Sequence, residues 1–515
     1  MASQDSSIKK LAMIGCGSMG GGMALLFASK GIHVSLQDPS VEAMDTIIAS
    51  AEKSTDVPAS MLSKHADYES LCNSLEKPKV FVWSLPHGSV GDGVLEKLMP
   101  FLEKGDVIID CGNEHWQNTE RRQGKCVVRG IRYVGCGVSG GYQAARRGPS
   151  MCPGADDETL PLVLPTLRKV AAKDPDGKPC VGRVGTGGAG HYCKMIHNGI
   201  EHGMMSAITE AFGIMKVGLD MSLDDIGDVF EQWNAKGELE GTFLVWISRD
   251  ICRTEDPETG ERVLDSVEDK VVQDYTGEEG TGIWSNTEAV ERHVPAPTLT
   301  TAHYIRLASG DRRQRAKIQA AFGVGSGKPN DEHTSVFPPQ KLEGVADRAA
   351  FLEDLRMAVY TACLAAYCQG MIIIEKADKD YHFNIDYAEL IQVWKAGCII
   401  QADYISNRLL APLYAQQSAS NFSANPLYHK DVTGDLKRGV PHLRSVVAKS
   451  IGADQVVPAL SATLEYLKYQ TSTDLPTSFY EAQLDYFGKH MFDRKGDDVE
   501  GAPMTGKHHF EWKAA

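Results

Sequence analysis

Six residues near the start of the chain, Gly15-Cys16-Gly17-Ser18-Met19-Gly20, restrict its fold more than any other stretch. They follow a short apolar run, KKLAMIG, and open a second, GGMALLFASKG, that Gly31 closes. The first run reads as a buried strand and the second as a helix. IHVSLQD then reads as another strand, ending in Asp38. A lone GxGxxG says little, but between a strand and a helix, with an acid at the next strand end, it specifies a dinucleotide-binding βαβ unit. Gly15 permits the tight turn, Gly17 the close approach of a pyrophosphate, and Gly20 the packing of helix on strand. Ser18 and Met19 lie at the helix start, whose N–H groups serve the phosphates. The plain alternative is a glycine-rich turn in an ordinary βαβ unit.

Asp38, with Pro39 and Ser40 after it, bears on the cofactor. A carboxylate there accepts hydrogen bonds from ribose hydroxyls and repels a 2′-phosphate. Neither Pro39 nor Ser40 offers a guanidinium to hold such a phosphate. NAD is therefore expected in preference to NADP. The alternative is that Asp38 caps the next helix.

The alternation continues through residues 80–88 (VFVWSLPHG), 105–113 (GDVIIDCGN) and 131–141 (IRYVGCGVSGG). Each apolar run ends in Gly, Asn or Ser, at the expected carboxyl edge of a parallel sheet, where ligands of such folds bind. Asn113 and Ser139 are the side chains expected there beside nicotinamide and substrate, although either alone also reads as a turn residue. From residue 187 the strand signals fade. AITEAFGIMKVGL, LDDIGDVFEQW, FLEDLRMAVYTACLAAYCQGMIIIEKA and YAELIQVWKAGCIIQADYISNRLL predict long buried helices. Residues 323–340, rich in Gly and Pro, predict an exposed loop. The expected organisation is an α/β domain over 1–186, a large all-α domain over 187–470, and an extended C-terminal tail over 471–515.

A formal net charge of −15 argues against a nucleic-acid binder, whose footprint is basic. No apolar run approaches the roughly 18 residues that span a bilayer, so no membrane partner is expected. The N-terminal MASQDSSIKK lacks a signal peptide's apolar core, and the twelve cysteines contain no CxxC pair. The expectation is a cytoplasmic protein with reduced thiols and no metal centre.

One further stretch concentrates chemistry. Residues 191–205, HYCKMIHNGIEHGMM, read as a helix on which Lys194, His197, Asn198 and Glu201 fall at i, i+3, i+4 and i+7. That spacing puts an amine, an imidazole, an amide and a carboxylate on one face. VGTGGAG precedes it, a glycine-rich approach along which backbone comes close to a ligand. A solvated polar face is the bland reading of the same pattern.

Taken together, GCGSMG, VGCGVSGG, GAGHYCKMIHNGIE, GTGIW, LEDLRMAVY, WKAGCII and AQLDYFGKH resemble the 6-phosphogluconate dehydrogenase family, within the β-hydroxyacid dehydrogenases, over nearly the whole chain. The resemblance implies a Rossmann domain, a large helical domain, and a homodimer whose tail reaches the neighbouring subunit. It implies oxidation of the 3-hydroxyl of an aldonate with loss of carbon dioxide. By motif, Lys194 resembles the general base and Glu201 the general acid. A lysine base needs a lowered pKa, which burial supplies. Asn198, Asn113, Ser139, Gly140 and Gly141 would position the hydroxyacid substrate, with Thr281 in the GTG turn. His197 either orients these groups or is a satisfied core histidine.

Departures from the family pattern cluster where phosphates are recognised. His202 stands where the family has tyrosine, Glu279 (beside Glu278) where it has lysine, and Leu484 where it has arginine, while Arg306 and His490 match. Tyr142 and Gln143 replace an acidic pair, Asp38-Pro39-Ser40 replaces Asn-Arg-Thr, and Pro86 falls on a cofactor-contacting lysine. A carboxylate in place of a cation turns attraction for a phosphate into repulsion. The expectation is therefore an NAD-dependent oxidative decarboxylase whose aldonate lacks the terminal phosphate, with His490 supplied by the partner subunit. The alternatives are 6-phosphogluconate oxidation proper, β-hydroxyacid oxidation without decarboxylation, and a catalytically silent dinucleotide sensor.

Overall fold

Leu11 and Met13 of the first strand pack into one apolar cluster, and Ala12 and Ile14 into another. Phe81 and Trp83 likewise bury away from Val80 and Val82. Side chains alternate along a strand, so a strand apolar at every position must be covered on both faces. The computed structural model describes residues 8–272, 280–328, 335–420, 422–497 and 506–512. It opens with β1 (Lys10–Ile14), α1 (Ser18–Ser29), β2 (His33–Gln37), α2 (Val41–Glu52), β3 (Leu62–Lys64), α3 (Tyr68–Asn73), β4 (Val80–Trp83) and α4 (Ser89–Leu98). There follow β5 (Val107–Asp110), α5 (Trp116–Val127), β6 (Arg132–Ser139), α6 (Gly141–Arg147), β7 (Ser150–Gly154) and α7 (Leu160–Val170). Met23 and Phe27 of α1 and Leu167 of α7 cover one sheet face, and Leu71 of α3 and Leu95 of α4 the other.

The seven strands run in the order β3-β2-β1-β4-β5-β6-β7. Strand order reverses between β1 and β4, which opens a crevice at their carboxyl ends. β1 to β6 are parallel as expected, but β7 returns antiparallel to β6. The link through α6 is too short for a parallel crossover, which takes about a dozen residues or more.

The chain then becomes helical. α8 (Ala189–Gly213) carries the polar stripe and the AITEAFG segment on one continuous helix. The helix Arg348–Tyr381 packs along it so closely that a Cβ on Gly370 would sit 2.5 Å from Ile200. By length and composition this helix could cross a membrane, contrary to the sequence expectation that no run was apolar enough; 94% of its apolar window is buried in the fold. Its apolarity serves packing on all sides.

The long helix expected over residues 387–410 is also corrected. It stops after Tyr387–Val393 and resumes as a wide turn, Tyr404–Leu410. Gly397 lies in the break with φ 63, a conformation that interrupts a right-handed helix, and a Cβ there would overlap Ala172.

Met1–Thr463 forms one compact unit and Leu464–Ala515 a second. Within the second, the helix Thr477–Gly488 presents the buried carboxylate of Asp485 to the folded-back tail. Asp485 accepts from His509 Nδ1 at 2.9 Å and Trp512 Nε1 at 2.8 Å.

Candidate active site

Two of the three glycines in the turn answer a steric demand and the third leaves open space. Gly15 takes φ 92, and a Cβ there would overlap Ser84 O. A Cβ on Gly20 would overlap Gly15 O. At Gly17, by contrast, a Cβ would meet nothing within 4 Å. Gly17 precedes the first turn of α1 without any side-chain cap, so the Ser18 and Met19 end of the helix faces open space. The two buried glycines are required by the fold, and the exposed one leaves room for a phosphate before a helix N-terminus. A dinucleotide pyrophosphate fits these residues.

Asp38 braces this turn. Its Oδ2 accepts from Cys16 N at 2.7 Å and its Oδ1 from Ser40 N at 2.8 Å. Ser40, not Asp38, caps α2, its Oγ accepting from Ala43 N at 3.2 Å. Pro39 and Ser40 are exposed beside it. A carboxylate oxygen has lone pairs beyond one such bond, so Asp38 retains acceptor capacity for hydroxyls. Asn113 is exposed just beyond the end of β5, on the same sheet edge.

Helical spacing brings the α8 stripe together as read. Lys194 Nζ donates to Asn198 Oδ1 at 2.5 Å, and Asn198 Nδ2 donates to Thr281 Oγ1 at 2.7 Å. These two bonds fix the orientation of the amide. His197 Nδ1 lies 3.0 Å from Asn198 Oδ1 and 3.7 Å from Glu201 Oε2. Lys194, His197 and Asn198 are buried, whereas the Glu201 side chain keeps 21% of its surface. Lys194 packs where a Cβ on Gly137 would overlap it, so β6 and α8 approach only because that residue is glycine.

The other edge of His197 is held by distant parts of the chain. Ser139 Oγ and Cys398 Sγ each lie 3.0 Å from its Nε2, and Ile399 N donates to Ser139 Oγ at 3.2 Å. Burial, and then the Lys194 charge, push the His197 pKa well below that of free imidazole. Burial pushes the Cys398 thiol up to about 11. A neutral imidazole thus donates through Nδ1 to Asn198 and accepts at Nε2 from a hydroxyl and a thiol. Gly140, with φ 109, and Gly141, with φ 69, turn the chain from Ser139 into α6. A side chain on Gly140 would overlap Gly397 O in the helix break.

One residue past Glu201, buried His202 contacts Arg306 through its Nε2 and stacks on His303, with ring centroids 6.1 Å apart and planes 7° from parallel. Arg306 comes from the helix Pro297–Gly310.

Residues 10–185 match the model of the NAD binding domain of 6-phosphogluconate dehydrogenase, and residues 190–512 match that of its C-terminal domain. The chain is 39% identical over 513 residues to "6-phosphogluconate dehydrogenase, decarboxylating" of Emericella nidulans, covering 96% of this chain and 100% of that one. The chain belongs to the 6-phosphogluconate dehydrogenase family. The Salmonella typhimurium protein of the same name is 34% identical over 507 residues, covering 98% and 99%. A solved structure of Plasmodium falciparum 6-phosphogluconate dehydrogenase superposes with a TM-score of 0.84 at 29% identity, covering 98% of this chain and 100% of that one. Members with these names are decarboxylating oxidoreductases acting on a CH–OH group.

Against this family pattern the substrate-side residues divide. Lys194, His197, Asn198, Glu201, Ser139 and Thr281 converge, and His202 meets Arg306 one turn further along. Glu279 lies outside the described residues. Leu484 and His490 belong to the second unit, where the exposed His490 ring lies against Phe487, 5.9 Å between centroids. The sequence reading passed over Cys398, His303 and Trp284. Cys398 and Trp284 sit inside quoted motifs, but nothing in their spacing connects them to residues more than 80 positions away.

Proposed function

We propose that this chain is a decarboxylating dehydrogenase of a 3-hydroxy aldonate, with 6-phosphogluconate as substrate. The α8 stripe carries the reading: a buried Lys194 bonded to Asn198, with a part-exposed carboxylate, Glu201, further along the same face. Gly15, Gly17, Ser18, Met19 and Gly20 would hold a dinucleotide, with Asp38 on its ribose. That cofactor, when bound, supplies the acceptor for the hydride lost from the substrate's carbinol carbon.

Lys194 Nζ takes the proton of the substrate hydroxyl as that carbon is oxidised. The resulting β-keto acid loses carbon dioxide, and the ammonium formed on Lys194 stabilises the enolate oxygen. Glu201 then protonates the carbon left behind. Asn198, held between Lys194 and Thr281, orients the reacting hydroxyl, and Ser139, Gly140, Gly141 and Asn113 receive the remaining hydroxyls and the carboxylate. His197, neutral and fixed at both nitrogens, keeps Asn198 in place. His202 and Arg306 supply donors for the substrate's far end.

The relatives' names support 6-phosphogluconate at least as well as the phosphate-free acid expected from sequence. The phosphate-free aldonate remains the second reading, favoured by Leu484 and Glu279 at positions the family fills with cations. NAD is the proposed cofactor on the strength of Asp38. The proposed assembly is a homodimer with His490 supplied across it, and sedimentation velocity tests it through the mass in solution. For activity, gluconate and 6-phosphogluconate are each assayed with NAD and NADP, following reduced dinucleotide and carbon dioxide together. Turnover of 6-phosphogluconate with stoichiometric carbon dioxide supports the main reading, and turnover of gluconate alone transfers it to the second. Reduced dinucleotide without carbon dioxide excludes decarboxylation.

A further inference from the structure

The helix Thr281–Glu291 is fastened to the catalytic helix at three levels. Thr281 accepts from Asn198 at 2.7 Å, a Cβ on Gly199 would sit 2.9 Å from Ser285, and Tyr192 donates to Glu288 Oε2 at 3.0 Å. From that helix the Trp284 indole reaches two loops on the dinucleotide edge of the sheet. His87, in the loop after β4, meets it with centroids 5.2 Å apart at 83°; His115, in the loop after β5, meets it at 5.3 Å and 87°. Both are edge-to-face contacts, a favoured geometry for ring pairs.

The two loops are themselves tied into one body. Glu114 accepts from Gly88 N at 3.0 Å and His115 N at 2.8 Å. The fully buried Arg122 donates to Glu114 at 2.7 Å and to Gly88 O at 2.6 Å. The first loop also abuts the glycine turn, since Ser84 N donates to Ile14 O at 2.9 Å. Trp284 therefore bridges, within one compact unit, the dinucleotide-edge loops and the helices that carry Lys194, Asn198 and Thr281, beside a second tie in which Trp116 Nε1 donates to Glu288 Oε1 at 3.1 Å.

We infer that Trp284 is a positioning residue whose indole, wedged between His87 and His115, holds the dinucleotide-edge loops in register with the catalytic helix. This rests on the dehydrogenase reading above for its consequence in turnover, though not for its structural content. Hydride transfer depends on the separation of the dinucleotide-edge loops from the helix face that carries Lys194, since each binds one reactant. A misplacement of about 1 Å costs on the order of 100-fold in rate, with little effect on the binding of either reactant.

The test compares Trp284→Ala, Trp284→Phe and His87→Ala with the wild type in the full-length chain. Read out are kcat, KM for dinucleotide and aldonate, and amide hydrogen exchange over residues 84–88 and 112–116. In Trp284→Ala, exchange in both loops should rise about 10-fold or more while the β1, β4 and β5 amides stay protected. Its kcat should fall about 30-fold with the dinucleotide KM within about threefold, and Trp284→Phe should recover most of the loss. His87 is exposed, so His87→Ala keeps the fold; it should show the same pattern at about fivefold in kcat and decides the matter should Trp284→Ala fail to fold. Unchanged loop exchange in a folded variant overturns the inference, as does a kcat within twofold of a measurable wild-type value. If the wild type turns over no aldonate, the dehydrogenase reading falls, and the exchange data alone decide the role of Trp284.

Discussion

Lys194 donates a 2.5 Å hydrogen bond to Asn198 Oδ1 one turn along α8, and Asn198 passes the connection to Thr281. The amine is thus held by its own helix, with a second helix steadying the holder. On the proposed mechanism, replacing Lys194 with Met keeps the length and removes both proton transfer and the later cation. The expected loss in kcat is about 1,000-fold, within the range of general acid–base effects, with dinucleotide affinity unchanged by fluorescence titration. A kcat within tenfold of wild type would remove Lys194 from the proton path.

Gly17 and Gly20 belong to one motif but predict opposite failures. Gly17→Ala places a methyl in open space, so its thermal midpoint should match the wild type while dinucleotide affinity drops about tenfold or more by loss of phosphate approach. Gly20→Ala drives a methyl into Gly15 O and should lower the midpoint itself, at a cost of several kcal/mol for overpacking. Calorimetry on both variants checks this; equal midpoints would show that the turn relaxes around a side chain.

Asp38 braces the glycine turn, and the proposed NAD preference gives it a second duty at the ribose that substitution tests. Asp38→Ala should relax discrimination against NADP about tenfold or more, because the charge facing a 2′-phosphate is gone. It also leaves Cys16 N without its acceptor, a loss of about 1–3 kcal/mol for a part-buried group. Affinity for NAD should therefore fall as well. If kcat/KM for NAD and NADP change by the same factor, Asp38 is only a brace.

Glu210 predicts a pH effect on stability. Its buried carboxylate caps the helix Pro458–Gln470, accepting from Ala459 N at 2.7 Å and Leu460 N at 2.9 Å, yet burial outweighs these bonds and pushes its pKa from 4.5 up to about 7. The folded protein holds this proton more tightly than the unfolded chain, so stability falls as pH rises from 4.5 to 7 and is level beyond. At about 1.4 kcal/mol per pH unit the group accounts for about 3 kcal/mol over that window. Urea unfolding at pH 5 and pH 8 should show this loss in the wild type and a flatter profile in Glu210→Gln. Parallel profiles for the two proteins would falsify the assignment.

Some of this molecule is written in short-range pattern. The glycine fingerprint is readable because a strand, a tight turn and a helix occupy consecutive residues, with Gly15 at a positive φ and Gly20 packed on the Gly15 carbonyl. The Lys194 to Glu201 stripe is readable because helical periodicity places side chains without knowledge of anything else. Other features depend on distance in the chain. The apolar spacing of residues 387–410 predicts one helix, but Gly397, pressed against Ala172, breaks it and delivers Cys398 to His197, 201 positions away. The hydropathy of Arg348–Tyr381 suits a bilayer as well as a protein core, and only packing against α8 and its other neighbours distinguishes them.

The sequence by itself determined the dinucleotide turn, the switch from α/β to all-α, and which side chains share the polar face of α8, because all three leave a pattern within a few consecutive residues. Only the tertiary structure decided what surrounds that face. The partners that set the His197 tautomer, the seat of Trp284 between two loops, and the meeting of His202 with Arg306 join residues about 60 to 200 positions apart, and burial and close packing select those contacts without leaving any local periodicity to read.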